Sequence, residues 1–257
     1  MRCESHAPGS FCTTVLRTRD PQRASTFYNA LGRWTFEPVA GSRQHFVMLF
    51  DGTPVAAIQD VFDGQDEWVP HVSVGDIDSA ISRALGLGAT LVDTSAVTGF
   101  ARLATLRDPE GARFGMWQPA PNQGAELMED IGSLWWLEVM SRDIEAARQF
   151  YGRLFDWQSH DTVFQPFHSY TVFKRGDVQE GGLLPMDPEW DIDPMWNSIF
   201  AVNDCDATLE KANRLGAETV FVHTVPSSGR IGGFVDPQGA AFLLRGPVPA
   251  GTGAGTP

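Results

Sequence analysis

Lysine is nearly missing from this chain, cysteine is scarce, and no long apolar run occurs. Only Lys174 and Lys211 accompany the arginines, and the formal charge is −13 at pH 7. A nucleic-acid partner needs a basic surface to neutralise phosphates, so that class is excluded. Spanning a bilayer takes about 18 consecutive apolar residues, and no such stretch exists, so no membrane helix is expected. The opening Met1–Pro8 has no apolar core and does not read as a secretory signal. Cys3, Cys12 and Cys205 are odd in number and widely scattered. They match neither a disulfide framework nor a zinc spacing, which leads us to expect a cytoplasmic protein.

What the chain does have is repetition. Asp20, followed by Phe27-Tyr28 and Gly32, returns as Asp143, followed by Phe150-Tyr151 and Phe155, at an offset of 123 residues. Asp108-Pro109-Glu110-Gly111 returns as Asp236-Pro237-Gln238-Gly239, at an offset of 128. A period this long marks domain duplication. Helices are expected after Asp20, Asp76, Asp143 and Asp204, each an N-cap candidate; Pro21 suits a first helical position, and Gly88 a left-handed C-terminal cap. Short strands precede them at 11–18, 68–75, 134–141 and 196–203, and alternating runs such as His45–Phe50 and Ala241–Arg245 follow. The unit of strand, helix and about three strands therefore occurs four times. We expect domain 1 at 11–118, a linker at 119–132 beginning Pro119-Ala120-Pro121, and domain 2 at 133–246. Residues 1–10 and 247–257 are expected to be disordered.

These landmarks, with Trp136-Leu137-Glu138-Val139, Phe155-Asp156-Trp157 and Trp196, resemble the vicinal oxygen chelate superfamily of glyoxalases, extradiol dioxygenases and bleomycin-resistance proteins. Within it the chain is most similar to the tandem two-domain "27 kDa antigen" type. The resemblance implies an α+β fold of two tandem domains, each of paired βαβββ units forming a curled eight-stranded mixed sheet around a cleft. In metal-using relatives the ligands sit at fixed offsets from the same landmarks. Those positions here hold Thr13, Val69, Gly115 and a site near Ala57 in domain 1, and Trp136, Asn197, Leu243 and a site near Leu183 in domain 2. Zinc, iron or nickel needs three or four His, carboxylate or thiolate donors. We therefore expect no metal and no cofactor.

Side chains alternate across a strand, so residues two apart share a face. That rule sets Arg17 on the face of Thr13, His71 on that of Val69, Arg113 and Trp117 on that of Gly115, and Glu138 and Met140 on that of Trp136. Glu138 corresponds to Val15 in domain 1. A carboxylate on an apolar concave sheet is desolvated, which suits a general base; alternatively it pairs with Arg245 or Arg113 as structural glue. His71 reads as an acid–base group or as a satisfied structural histidine. His168 and Tyr170 read as part of a cleft lip or as an anchored loop, and His45 holds a comparable place in domain 1. Trp117, Trp135, Trp136 and Trp190 are candidates for stacking a flat ligand, whereas Trp34, Trp68, Trp157 and Trp196 read as packing. The run Ser227–Gly233 and its counterpart Thr98–Arg102 read as mobile loops at the two mouths, not as phosphate loops.

Two functions fit. One is a metal-independent enzyme of acid–base chemistry (cyclisation, isomerisation or elimination) on a hydrophobic aromatic or polyketide-like metabolite, with Glu138 and His71 as proton carriers. Its ligand would touch Trp136, Met140, Asn197, His168, Tyr170, Arg245, Thr13, Arg17, Arg113 and Trp117. The other is a protein that sequesters a drug or metabolite, as bleomycin-resistance relatives do. A metal-dependent glyoxalase or dioxygenase ranks third. The chain pairs its clefts internally as a monomeric pseudo-dimer, or forms a homodimer.

Overall fold

The computed structural model describes residues 1–61, 64–97, 99–164, 167–225 and 228–248, without the side chains of 164, 167 and 168. The first half contains β1 (Phe11–Thr18), α1 (Pro21–Leu31), β2 (Trp34–Pro38), β3 (His45–Phe50), β4 (Thr53–Asp60) and β5 (Glu67–Ser73). It continues with α2 (Ile77–Gly86), β6 (Thr90–Val97), β7 (Ala101–Arg107) and β8 (Arg113–Pro119). The second half repeats the order with β9 (Leu134–Ser141), α3 (Ile144–Phe155), β10 (Gln158–Phe164), β11 (Phe167–Arg175) and β12 (Val178–Pro185). It ends with β13 (Met195–Ala201), α4 (Cys205–Arg214), β14 (Glu218–Val225), β15 (Gly229–Val235) and β16 (Ala241–Gly246). All four helices begin at the expected aspartates: Asp20, Asp76, Asp143 and Asp204 each accept a hydrogen bond from the backbone N–H three residues on.

The elements form two eight-stranded mixed sheets, ordered β2-β3-β4-β1-β5-β8-β7-β6 and β10-β11-β12-β9-β13-β16-β15-β14. In each, an antiparallel central pair is flanked by parallel neighbours (β1 with β4, β5 with β8; β9 with β12, β13 with β16). This is the tandem α+β fold expected from the repeats. β7 and β15 occupy Ala101–Arg107 and Gly229–Val235, so residues 229–233 and 101–102 of the two stretches read as mobile loops are strand, while Thr98 and Ser227 lie outside the described residues.

Alternation sends Leu16, Ile58, Trp68 and Met116 to one face of the first sheet, where they join Leu137, Val139, Trp196 and Phe242 of the second in one shared core. The opposite faces carry the two clefts. The repeated signatures meet in the shared core. Tyr28 of α1 donates to Asp236 of the second half (2.8 Å) and accepts from Trp68 Nε1 (2.9 Å). Tyr151 of α3 donates to Asp108 of the first half (2.8 Å) and accepts from Trp196 Nε1 (2.7 Å). The other oxygen of each aspartate closes its own turn, Asp108 on the amides of Glu110 and Ala112, Asp236 on those of Gln238 and Ala240. Each half is thus latched by the other's helix.

Residues 1–10, expected to be disordered, are instead bonded across the molecule. The Gly9 N–H donates to Ser73 O (2.8 Å), Trp157 Nε1 donates to Gly9 O (2.7 Å), and Ser10 Oγ donates to Glu180 (2.9 Å). The segment fills the seam between halves, where backbone groups find partners that its composition does not announce. The linker region is likewise fixed, with Ala125 N–H donating to Cys12 O and Trp34 Nε1 to Gly132 O. Residues 249–257, most of the expected tail, lie outside the described residues. No described helix is long and apolar enough to cross a membrane.

Candidate functional site

The two concave faces differ sharply. The first is filled by Val15, Ala57, Val97, Phe100, Leu103 and Trp117. Trp117 is 1% exposed and lies edge-on to Phe100 at 5.3 Å. Arg17, buried beneath them, donates to Gln59 (3.1 Å), Thr105 (3.0 Å) and Asp93 (2.6 Å). His45 ties β3 to β6 through Ser95 (3.1 Å) and is held by Ser42 (2.8 Å). The domain 1 cleft is laced shut.

The second face opens into a cavity of about 1230 Å³. At the 128-residue offset Phe100 becomes Ser228, Trp117 becomes Arg245 and Thr105 becomes Gly233, so bulk is removed where domain 1 is plugged. Arg245 turns aside: its guanidinium stacks 5.0 Å from the Trp135 ring and donates to Ser228 O (2.5 Å). Trp135, Trp136, Met140, Val172, Leu184, Met195, Ile199, Phe221 and Ile231 form apolar walls.

Glu138 stands at the centre of this floor. Tyr170 Oη donates to Glu138 Oε2 (3.0 Å) and accepts from Trp136 Nε1 (2.7 Å). Gly182, opposite Glu138 on β12, makes that contact possible; a Cβ there would stand 1.8 Å from the Tyr170 hydroxyl. Asn197 faces Glu138 from β13. Burial pushes the Glu138 carboxyl above its usual range, and the Tyr170 hydrogen bond opposes the rise. Among the described residues Glu138 has no arginine or lysine partner. Arg245 instead contacts Trp135 and Ser228, and Arg113 pairs with Glu67, so neither arginine expected beside Glu138 is paired with it.

The sequence candidates therefore separate by half. Glu138, Trp136, Met140, Asn197 and Tyr170 converge on the open cleft. Thr13, Arg17, His71 and Trp117 are sealed inside domain 1, and Arg113 is engaged with Glu67 beside them. His71 is fully buried; its Nδ1 meets Val69 O (2.9 Å), its Nε2 has no partner among the described residues, and burial lowers it to about 4. Sealed there, the ring does not reach the open cleft in which the other proton-carrier candidate, Glu138, lies. Arg245 lies behind the wall it was expected to line. The side chain of His168 lies outside the described residues. The part played by Ser228, named only within a mouth loop, and that of Gly182 were missed, as was the strap at 186–194 apart from its Trp190. The first could have been found by comparing the halves at their offset, the second by the rarity of glycine inside a strand.

Nor do the described residues of either cleft show metal-ligand geometry. No group of three His, Cys, Asp or Glu among the described residues could hold an ion. At Gly115 a Cβ would lie 2.3 Å from the His71 ring, so that ring fills the space beside a ligand position. The donors among the described residues do not fit the metal of the metal-using relatives.

Residues 13–116 match the Glyoxalase-like domain family. A Mycobacterium tuberculosis protein named as a proposed glyoxylase, CFP32, is 30% identical over 244 residues, covering 91% of this chain and 93% of the relative. The anthracycline biosynthesis protein DnrV of Streptomyces peucetius is 29% identical over 269 residues, covering 96% and 98%. The Mn(II)-bound glyoxalase of Novosphingobium aromaticivorans shares the fold, with a TM-score of 0.59 at 15% identity over 95% of this chain and 88% of that one. The chain belongs to the glyoxalase-like family of the vicinal oxygen chelate superfamily.

Proposed function

We propose that the domain 2 cleft is the active site of a metal-independent enzyme that rearranges a hydrophobic aromatic or polyketide-like metabolite by acid–base chemistry. The observation that carries this is Glu138, a desolvated carboxylate with no counter-cation among the described residues, on the floor of a large aromatic-walled cavity. Its ionised form accepts a proton from an acidic C–H or O–H of the bound substrate, while Tyr170 holds its orientation. Asn197 is placed to donate a hydrogen bond to the oxyanion that develops as the proton leaves. The walls exclude water and hold the substrate in a reactive shape. Cyclisation, isomerisation and elimination each need no more than this. The name of DnrV, a relative assigned to anthracycline biosynthesis, supports a polycyclic substrate class. Fold alone would not, because one fold hosts many chemistries.

Sequestration of a drug or metabolite is the second reading, favoured by a cavity large enough to bury one. Glu138→Gln separates the two, since it keeps the shape and removes the base. In an aromatic polyketide panel read by mass spectrometry, the variant is expected to lose turnover by about two orders of magnitude or more while binding is retained. Turnover of the native protein is expected to survive chelator treatment. Binding without product in both proteins would support sequestration; loss of activity with chelator would restore the metal enzyme.

A further inference from the structure

The mouth of the same cleft carries information that its floor does not. β12 and β13 are joined by residues 186–194, a connection three residues longer than its counterpart 61–66 in the first half. This strap reads Met-Asp-Pro-Glu-Trp-Asp-Ile-Asp-Pro. Glu189, Trp190, Asp191 and Ile192 line the cavity from it. Arg142 fixes the strap by donating through Nη2 to the carbonyls of Trp190 and Ile192, both at 2.8 Å. Asp187 closes its turn by accepting from the Glu189 amide (2.9 Å).

Three features of this rim point the same way. Trp190 and Ile192 are exposed beside the opening, as are Val163 and Val220, which also line the cavity, so the apolar surface runs out of it and is uncovered. Four carboxylates, Asp187, Glu189, Asp191 and Asp193, crowd one strap, and none is ion-paired among the described residues. The nearby cation, Arg142, is occupied by backbone carbonyls. Finally, no lysine or arginine is among the described residues that line the cavity. A multi-ring ligand filling the cavity would extend past the strap and place its outer end among unpaired carboxylates and the face of Trp190. An organic cation satisfies both, by charge and by attraction to the indole ring. Resting on the active-site reading above, we propose that this cleft selects polycyclic aromatic molecules whose outer end carries a protonated amine, over neutral or anionic counterparts.

A matched pair of anthraquinones tests this, one bearing a dimethylaminopropyl chain and the other a hydroxypropyl chain. Each is titrated by tryptophan fluorescence into the native protein, Glu138→Gln, and a Glu189→Gln/Asp191→Asn double variant. The native protein is expected to bind the amine about fivefold more tightly at low salt. That preference is expected to vanish in the double variant and at high salt, with affinity for the neutral probe unchanged. Equal affinities in the native protein would overturn the proposal. So would a preference that survives in the double variant or disappears in Glu138→Gln, because either result places the cation away from the strap. If neither probe binds, the aromatic-ligand reading of the cleft falls, and this one with it.

Discussion

Glu138 and Val15 occupy the same place in the two halves, and that single difference separates a polar floor from an apolar filler. The carboxylate is tuned by two opposed effects: burial favours its protonated form, and the Tyr170 hydroxyl favours its ionised form. Tyr170→Phe removes the second effect, and it also leaves Trp136 Nε1 without the hydroxyl that accepts from it. A base must be unprotonated to act, so kcat/KM rises as pH climbs through the Glu138 pKa. In the variant that acid limb is expected to move to higher pH, because a hydrogen bond that favours the ionised form is lost. A pH–rate profile of both proteins checks this; an unmoved limb would mean that Tyr170 does not set the proton affinity of the base. Glu138 was legible in the sequence, because the duplication aligns it with an apolar twin. Its partner was not, since Tyr170 arrives from another strand through space that only Gly182 leaves open.

At the scale of elements, β5 and β8 show how a ligand position becomes a packing position. His71 on β5 lies opposite Gly115 on β8, and its ring occupies the volume a side chain would need there. Burial lowers the imidazole from its usual 6.5 to about 4. Since the folded pKa is depressed, the unfolded chain binds the proton first as pH falls. Stability is therefore full above about pH 6.5 and is lost progressively toward pH 4. Linkage makes the loss on the order of 2 kcal/mol between pH 7 and pH 4.5. Urea unfolding at both values should show that this part of the acid sensitivity is absent from His71→Gln. Equal pH dependence in the two proteins would mean that the ring is reached by solvent. Strand and helix positions themselves were readable from capping aspartates and alternation, because those signals are local.

Across the whole molecule, the two halves are joined by reciprocal tyrosine–aspartate latches within one continuous core. Tyr28→Phe would leave a buried Asp236 oxygen without its donor and the Trp68 N–H without its acceptor. A stability loss of about 2–3 kcal/mol is expected from such orphaned groups, with ligand affinity in the cleft unchanged. Chemical denaturation and probe titration of the variant check both parts; a loss below about 0.5 kcal/mol would show that the latch is dispensable. The sequence displayed both signatures at fixed offsets. It did not show that each tyrosine serves the other half's turn, because the choice of packing partner is made between elements distant in the chain.

By itself the sequence determined the duplication, the order of elements, the capped helix starts and the unequal chemistry of the paired cleft positions. These follow from local backbone preferences and from a comparison of the chain with itself. Only the tertiary structure decided that the first cleft is filled and the second open. It also decided that Arg245 stacks on Trp135 instead of neutralising Glu138. Filling depends on whether side chains from β1, β4, β6, β7 and β8 converge on one volume, and pairing depends on which nearby group an arginine meets first. Both are facts of distance, and distance across a curled sheet is set by the packing of all its strands together.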